Sequence, residues 1–127
     1  MIGGGSRSAG SVRLQPLPPY DISIEQGATY RTTLTLTGRD LTGYTARMQV
    51  RASVASPAVL LELTSSPAAG ITITLGPPGV IDIVITAAQT AAMTWWVGFY
   101  DLELTWPNGD VERLLKSTVT VDPEVTR

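Results

Sequence analysis

One feature limits the folds open to this chain more than any other: apolar and polar residues alternate with a period of two, in short runs, from Tyr20 to Val121. A period of two puts one face of an extended segment toward a core and the other toward water, which is the signature of a half-buried β-strand. The runs are Asp21 to Glu25, Tyr30 to Thr37, Tyr44 to Arg51, Val59 to Leu63, Ile71 to Leu75, Val80 to Ile85, Trp96 to Trp106 and Val111 to Val121. In the third of these, Tyr44, Ala46, Met48 and Val50 fall on one side, and Thr45, Arg47, Gln49 and Arg51 on the other. The abundance of Thr, Val and Ile suits the same conformation, because β-branched side chains pack well on a pleated surface.

The punctuation between runs is equally informative. Gln26-Gly27, Gly38-Arg39-Asp40, the loop from Ala52 to Pro57 and Ser65 to Gly70 each break the pattern. Gly76-Pro77-Pro78-Gly79 predicts a tight reversal that joins strands five and six as a hairpin, since Pro fixes φ and Gly permits positive φ. Asn108-Gly109 predicts a second hairpin, built on a type I′ turn. Only Thr86 to Met93 looks helical; it is Ala-rich, opens on a Thr able to cap, and is one or two turns long. Seven or eight short strands at regular spacing predict a two-sheet, immunoglobulin-like antiparallel β-sandwich, with a small barrel as the alternative.

Residues 1–19 follow other rules. Gly3 to Ser11 has the composition of a flexible linker, and Val12 to Pro19 is extended and Pro-rich, favouring polyproline II geometry. The expected organisation is therefore an arm, 1–19, followed by a β-sandwich, 20–127. Such a segment reads either as a disordered tail or as an arm laid on a partner; in the second reading Val12, Arg13, Leu14, Pro16 and Leu17 are the residues that would touch the partner.

The residues that are missing narrow the chemistry. The chain of 127 residues has no Cys and no His. Disulfides, thiolate metal sites and thiol nucleophiles are thereby excluded, and the commonest general base is gone. A Ser nucleophile would need a Lys base, and the one lysine, Lys116, sits on a strand. Neither Gly3-Gly4-Gly5 nor the 76–79 turn is followed by the Gly-Lys-Ser/Thr of a phosphate loop. With 9 basic against 11 acidic residues and no basic patch, nucleic acid is not an expected partner. No run reaches the roughly 20 apolar residues needed to span a bilayer, and the start of the chain lacks an apolar signal core.

Among the carboxylates, Asp101 and Glu103 share a strand face and Asp82 lies on another strand; all three read as solvated faces. Asp40, Asp110 and Asp122 fall in turns, where Asp bonds its own backbone. Trp95, Trp96, Phe99, Tyr100 and Trp106 cluster. Parity assigns Trp96, Tyr100, Leu102, Leu104 and Trp106 to the core, and leaves Trp95 to reach a protein partner. Arg39, Arg47, Arg51 and Arg113 are expected to share a surface, with Arg47 and Arg51 as partner-facing positions.

Several of these segments also carry a resemblance. Gln26-Gly27-Ala28-Thr29, Asp40 to Arg51, the hairpin Ile71 to Ile85, Ala87 to Val121 and the tail Pro123 to Arg127 resemble a family of small phage and prophage proteins. That family is similar to the N-terminal immunoglobulin-like domain of baseplate upper proteins, which attach receptor-binding proteins to a phage tail. The resemblance spans residues 20–127. Asn108-Gly109 stands where Asp-Gly is usual, and the arm 1–19 is longer than the family's start. What it implies is a non-enzymatic structural protein of a tailed-phage virion, made in the bacterial host cytoplasm, without cofactor, metal or catalytic residues. Its partners would be other virion proteins of the tail, baseplate or fibre, in multiple symmetric copies, with neither nucleic acid nor membrane among them. A capsid decoration or head-to-tail neck protein is the alternative, and a glycan- or receptor-binding module the next.

Overall fold

The computed structural model describes residues 20–126. The expectations for the arm, including Val12, Arg13, Leu14, Pro16 and Leu17, lie outside the described residues. Within them the alternation becomes nine strands, β1 (Ile22–Glu25), β2 (Tyr30–Leu36), β3 (Thr45–Arg51), β4 (Leu61–Ser65), β5 (Ala68–Ala69), β6 (Ile71–Thr74), β7 (Gly79–Ile85), β8 (Val97–Thr105) and β9 (Val111–Asp122), with one helix, α1 (Ala87–Ala91), between β7 and β8. The ninth strand is the two-residue β5, too short to leave a periodic signal.

The strands form two sheets, one in the order β1-β9-β8-β3-β4-β5 and one in the order β2-β7-β6. The chain changes sheet after β1, β2, β5 and β7, so neither sheet forms without the other. A sandwich whose small sheet takes the second, seventh and sixth strands, against a large sheet of ninth, eighth, third and fourth, has the expected immunoglobulin-like arrangement. All pairings are antiparallel except β1 with β9, where Ile22 lies beside Val119 and Ile24 beside Val121.

The inward residues are those the period predicts: Ile22 and Ile24 on β1, Met48 and Val50 on β3, Ile81, Ile83 and Ile85 on β7, Leu102 and Leu104 on β8. On β9 the period fails once. Leu102 lies opposite Leu115 but Glu103 lies opposite Arg113, so Leu114 is an extra residue on β9, a β-bulge. Leu114 and Leu115 are both buried as a result.

Two turns differ in detail from expectation. In the 106–110 loop the Gly109 N–H donates to the Trp106 carbonyl at 2.9 Å, and Gly109 has φ +94°. Pro107-Asn108, not Asn108-Gly109, are the central residues of that turn. The reason is local: the proline ring pre-sets the φ needed at the first central position, and glycine takes the left-handed position that follows. In the other hairpin Gly76 takes φ +82°, as predicted, but Gly79 has a different role. A Cβ there would come within 2.5 Å of Cγ of Leu41, a fully buried side chain from the β2–β3 loop. Gly79 is thus a close-packing glycine, and β9 runs one residue further than predicted, so that Asp122 is paired with Glu25 rather than set in a turn.

Candidate functional site

The large sheet turns its outer face to solvent across β3, β8 and β9, and register decides which side chains meet there. One row across the strands reads Glu62, Gln49, Asp101, Lys116; the next reads Thr64, Arg47, Glu103, Arg113; a third reads Arg51, Phe99, Thr118. The β9 bulge makes the first two rows possible. Arg113 and Lys116 are three residues apart and would point to opposite faces of a regular strand; the extra Leu114 puts both outside. Arg47, Arg51, Phe99, Asp101, Arg113 and Lys116 line a shallow depression of about 180 Å³ on this face.

The charges on it are only loosely engaged. Arg47 Nη2 stands 3.8 Å from Glu103 Oε1, with the two side chains 58% and 34% exposed. Such a pair contributes well under about 1 kcal/mol to folding and leaves both groups open to a partner. Among the described residues Arg113 and Lys116 form no ion pair. Arg51 differs: it donates to the carbonyls of Ser56 and Pro57 at 2.9 and 2.8 Å and to Oε1 of Gln49 at 2.9 Å. Its guanidinium holds the 52–57 loop in place, whereas that of Arg47 is more exposed. Arg39 is not on this face. It makes a bidentate pair with Glu112, at 3.0 and 3.1 Å, and sits 5.6 Å from the Tyr44 ring centroid. Its grouping with the other arginines is corrected: the bend of the β2–β3 loop carries it to the end of the sandwich.

At one end the charged rows give way to apolar side chains. Val54, Val97, Phe99 and Trp96 are 72%, 54%, 39% and 47% exposed. Here the two tryptophans exchange their expected places. Trp95 is half-buried and packs against the core, lying over Gly98, while Trp96 is the exposed one. β8 is regular from Val97; the Trp96 carbonyl still accepts from the Val121 N–H at 2.8 Å, but the Trp96 side chain does not follow the strand's parity. Trp106 lies just past the other end; it is half-buried and donates its Nε1 hydrogen to Glu112 Oε1 at 2.9 Å.

Glu112 was not singled out by the sequence, although it sits two residues before buried Leu114 and shares its inward parity. Its side chain is 2% exposed, and it accepts from Arg39 and Trp106 together. The carboxylate raises the Arg39 pKa above its ordinary value by hydrogen bonding. Asp82 and Asp40 are where the sequence put them. Asp82 accepts from the Thr33 hydroxyl at 2.6 Å, and Asp40 is held below the usual carboxylate range by hydrogen bonds from the Thr42 hydroxyl and N–H.

A second cluster fixes the root of the arm. Tyr20 Oη lies 2.5 Å from Thr32 Oγ1, and the Tyr20 carbonyl accepts from the Tyr100 hydroxyl. Asp21 accepts from the hydroxyls of Ser117 and Thr118, which lower its pKa. Burial pushes the phenols of Tyr30 and Tyr100 up from their ordinary value. Residues 20 and 21 are therefore tied to β2, β8 and β9 at once.

This geometry supplies a rigid platform with a mosaic of charge, an apolar and aromatic margin and a pinned chain entry. Among the described residues no group of three or more His, Cys, Asp or Glu is placed to hold a metal ion, and no helix is long and apolar enough to cross a membrane. No protein-family model and no curated protein matches the chain.

Proposed function

We propose that this chain is a non-enzymatic structural protein of a tailed-phage particle, an adaptor in the tail or baseplate that links fibres or receptor-binding proteins to the tail. The observation that carries the reading of a binding module is the outer face of the large sheet. Interfaces combine aromatic and apolar side chains with Arg and a charged rim. Val54 and Phe99 beside Arg47, Arg113, Asp101 and Glu103 have that make-up. The particle assignment is supported by the resemblance of residues 20–127 to small phage proteins. The adaptor would act by shape: the sandwich supplies rigidity, and many symmetric copies turn modest contacts into a firm attachment.

Antibody labelling of intact particles tests this reading. Label at the tail tip or baseplate is the expected result. Label on the capsid or neck would replace the adaptor with a decoration protein, and label on no part of the particle would overturn the virion assignment. The exposed Trp96 and Phe99 also favour one second reading, a glycan-binding platform, because such rings stack on sugar faces when open to solvent. A glycan array without hits removes it.

A further inference from the structure

The outer face of the large sheet carries its charges in columns that alternate in sign. The cations Arg47 and Arg51 stand on β3, the acids Asp101 and Glu103 on β8, and the cations Arg113 and Lys116 on β9. Glu62 on β4 adds an acid before them. Directly opposite side chains on neighbouring strands stand about 5 Å apart at Cβ, near enough to pair. Among the described residues, however, this face holds a single loose ion pair, Arg47 with Glu103 at 3.8 Å. Asp101 lies opposite Lys116, and Glu103 opposite Arg113, without closing a bridge. Glu62, Arg47, Arg113 and Lys116 are exposed, and Asp101 and Glu103 partly so. The charges are set in complement and left outward.

Such a face has little net charge, so it selects neither a polyanion nor a basic partner. It fits a surface with the same alternation, and a second copy of the chain has one. Symmetry decides the match. A two-fold axis parallel to the strands, over the seam between β3 and β8, lays β3 of one copy on β8 of the other and β4 on β9. Residues of one row then meet residues of the same row: Glu62 meets the second copy's Lys116, Gln49 its Asp101, and Arg47 its Glu103. An axis across the strands instead lays each strand on itself, acid on acid along β8 and cation on cation along β9, which is repulsive. Phe99 finds a place in the first arrangement. It is 39% exposed and lies opposite Arg51, so the axis lays its ring on the second copy's Arg51. That guanidinium spends its donors on Ser56, Pro57 and Gln49 of its own chain, which leaves its flat face to meet a ring.

We propose that the outer face of the large sheet docks a second copy of this chain across a two-fold axis, with Glu62 on Lys116, Arg47 on Glu103 and Phe99 on Arg51. The contact is isologous, so each pairing occurs twice. Twisted sheets packed this way cross at about 30° with their strands nearly aligned. Four strands about 4.8 Å apart make a patch roughly 20 Å across. A patch of that size belongs to the weak, readily reversed class of interface, in which charge sets the choice of partner and repeated copies supply firmness. The inference rests on the reading of this face as a binding surface and not on the phage assignment.

Glu62 and Lys116 stand at the two ends of one row, about 14 Å apart across the strands, too far to pair within a chain. Charge reversal at either position therefore reads the contact between copies. Sedimentation equilibrium of the full chain should show a monomer–dimer equilibrium that weakens as salt is raised. Glu62→Lys alone and Lys116→Glu alone each set like charges together at both contacts, and should raise the dissociation constant at least about tenfold. Mixing the two variants should restore association, because in the mixed dimer the reversed positions face each other and the unreversed ones do likewise. A full chain that stays monomeric at about 1 mM overturns the proposal. So does a dimer that both variants leave unchanged, or a mixture that associates no better than either variant alone. If the chain is monomeric while antibody labels the baseplate, the adaptor reading stands and this dimer falls. If the mixed variants dimerise while no particle takes label, the dimer stands and the virion reading falls.

Discussion

Glu112 shows how much a single buried charge can decide. Its carboxylate is out of water and satisfied by three hydrogen bonds, two from Arg39 and one from the Trp106 indole. These three residues come from the β2–β3 loop, the end of β8 and the start of β9, so the cluster ties both sheets together at one end. Arg39→Ala would leave the carboxylate buried with its main partner gone, and we expect a loss of about 3 kcal/mol in urea unfolding. Arg39→Lys keeps the charge but not the bidentate fork, and should fall between the two. The phenols give a second prediction. Tyr30 and Tyr100 have folded-state pKa values raised above the unfolded value, chiefly by burial. A raised acid group contributes stability that is fully present below the unfolded pKa, about 10, and is lost as pH rises toward the folded one. Absorbance titration should therefore show two of the four tyrosines ionising late, with unfolding following above about pH 10, and Tyr100→Phe should remove one late phenol. At this scale the sequence was legible inside strands and misleading at their ends. Tyr100, Leu102 and Leu104 are buried as their parity requires, while Trp95 and Trp96, just before β8, are reversed. Arg39 and Glu112 lie far apart in sequence, and nothing local announces their pairing.

Among the elements, α1 was the easiest to foresee and β9 the hardest. Thr86 caps α1 by accepting from Gln89 N–H at 3.1 Å, and Gln89 Oε1 accepts in turn from Thr86 N–H at 2.9 Å. Thr86-Ala-Ala-Gln89 is visible in the sequence as a capping box. Thr86→Ala should cost about 1 kcal/mol in thermal or urea unfolding. The helix is also fixed by Thr90, fully buried, whose hydroxyl donates to the Ala28 carbonyl and accepts from the Gly27 N–H at 3.0 Å. On β9 the extra Leu114 breaks the period, and the consecutive pair Leu114-Leu115 was its only sequence trace. The bulge at that residue sets which charges occupy the outer face. Deleting Leu114 should restore a regular strand with Arg113 still outward opposite Glu103, at the loss of one buried leucine side chain from the core. That loss should cost about 2–5 kcal/mol, read as a lowered urea midpoint.

The whole molecule divides into a scaffold and the surfaces it presents. The fold class and nearly every strand were legible because each sheet is buried on one side, so burial is printed in the sequence with a period of two. The outer face of the large sheet was only half legible: Arg47, Asp101 and Glu103 appeared as an outward set, but their union with Arg113, Lys116 and Phe99 depends on register and on the bulge. Because Trp96 and Phe99 project from the scaffold and are 47% and 39% exposed, Trp96→Ser with Phe99→Ser should leave the thermal midpoint within about 4 °C of the parent, the equivalent of about 1 kcal/mol in a domain of this size. The same double variant should reduce attachment to particles at least about tenfold, since aromatic residues dominate interface energy. The most direct test of the adaptor account is particle incorporation by the chain lacking residues 1–19. The account predicts a truncated protein that unfolds cooperatively like the full chain yet is absent from purified particles. A truncated protein that enters particles as well as the full chain does would contradict it.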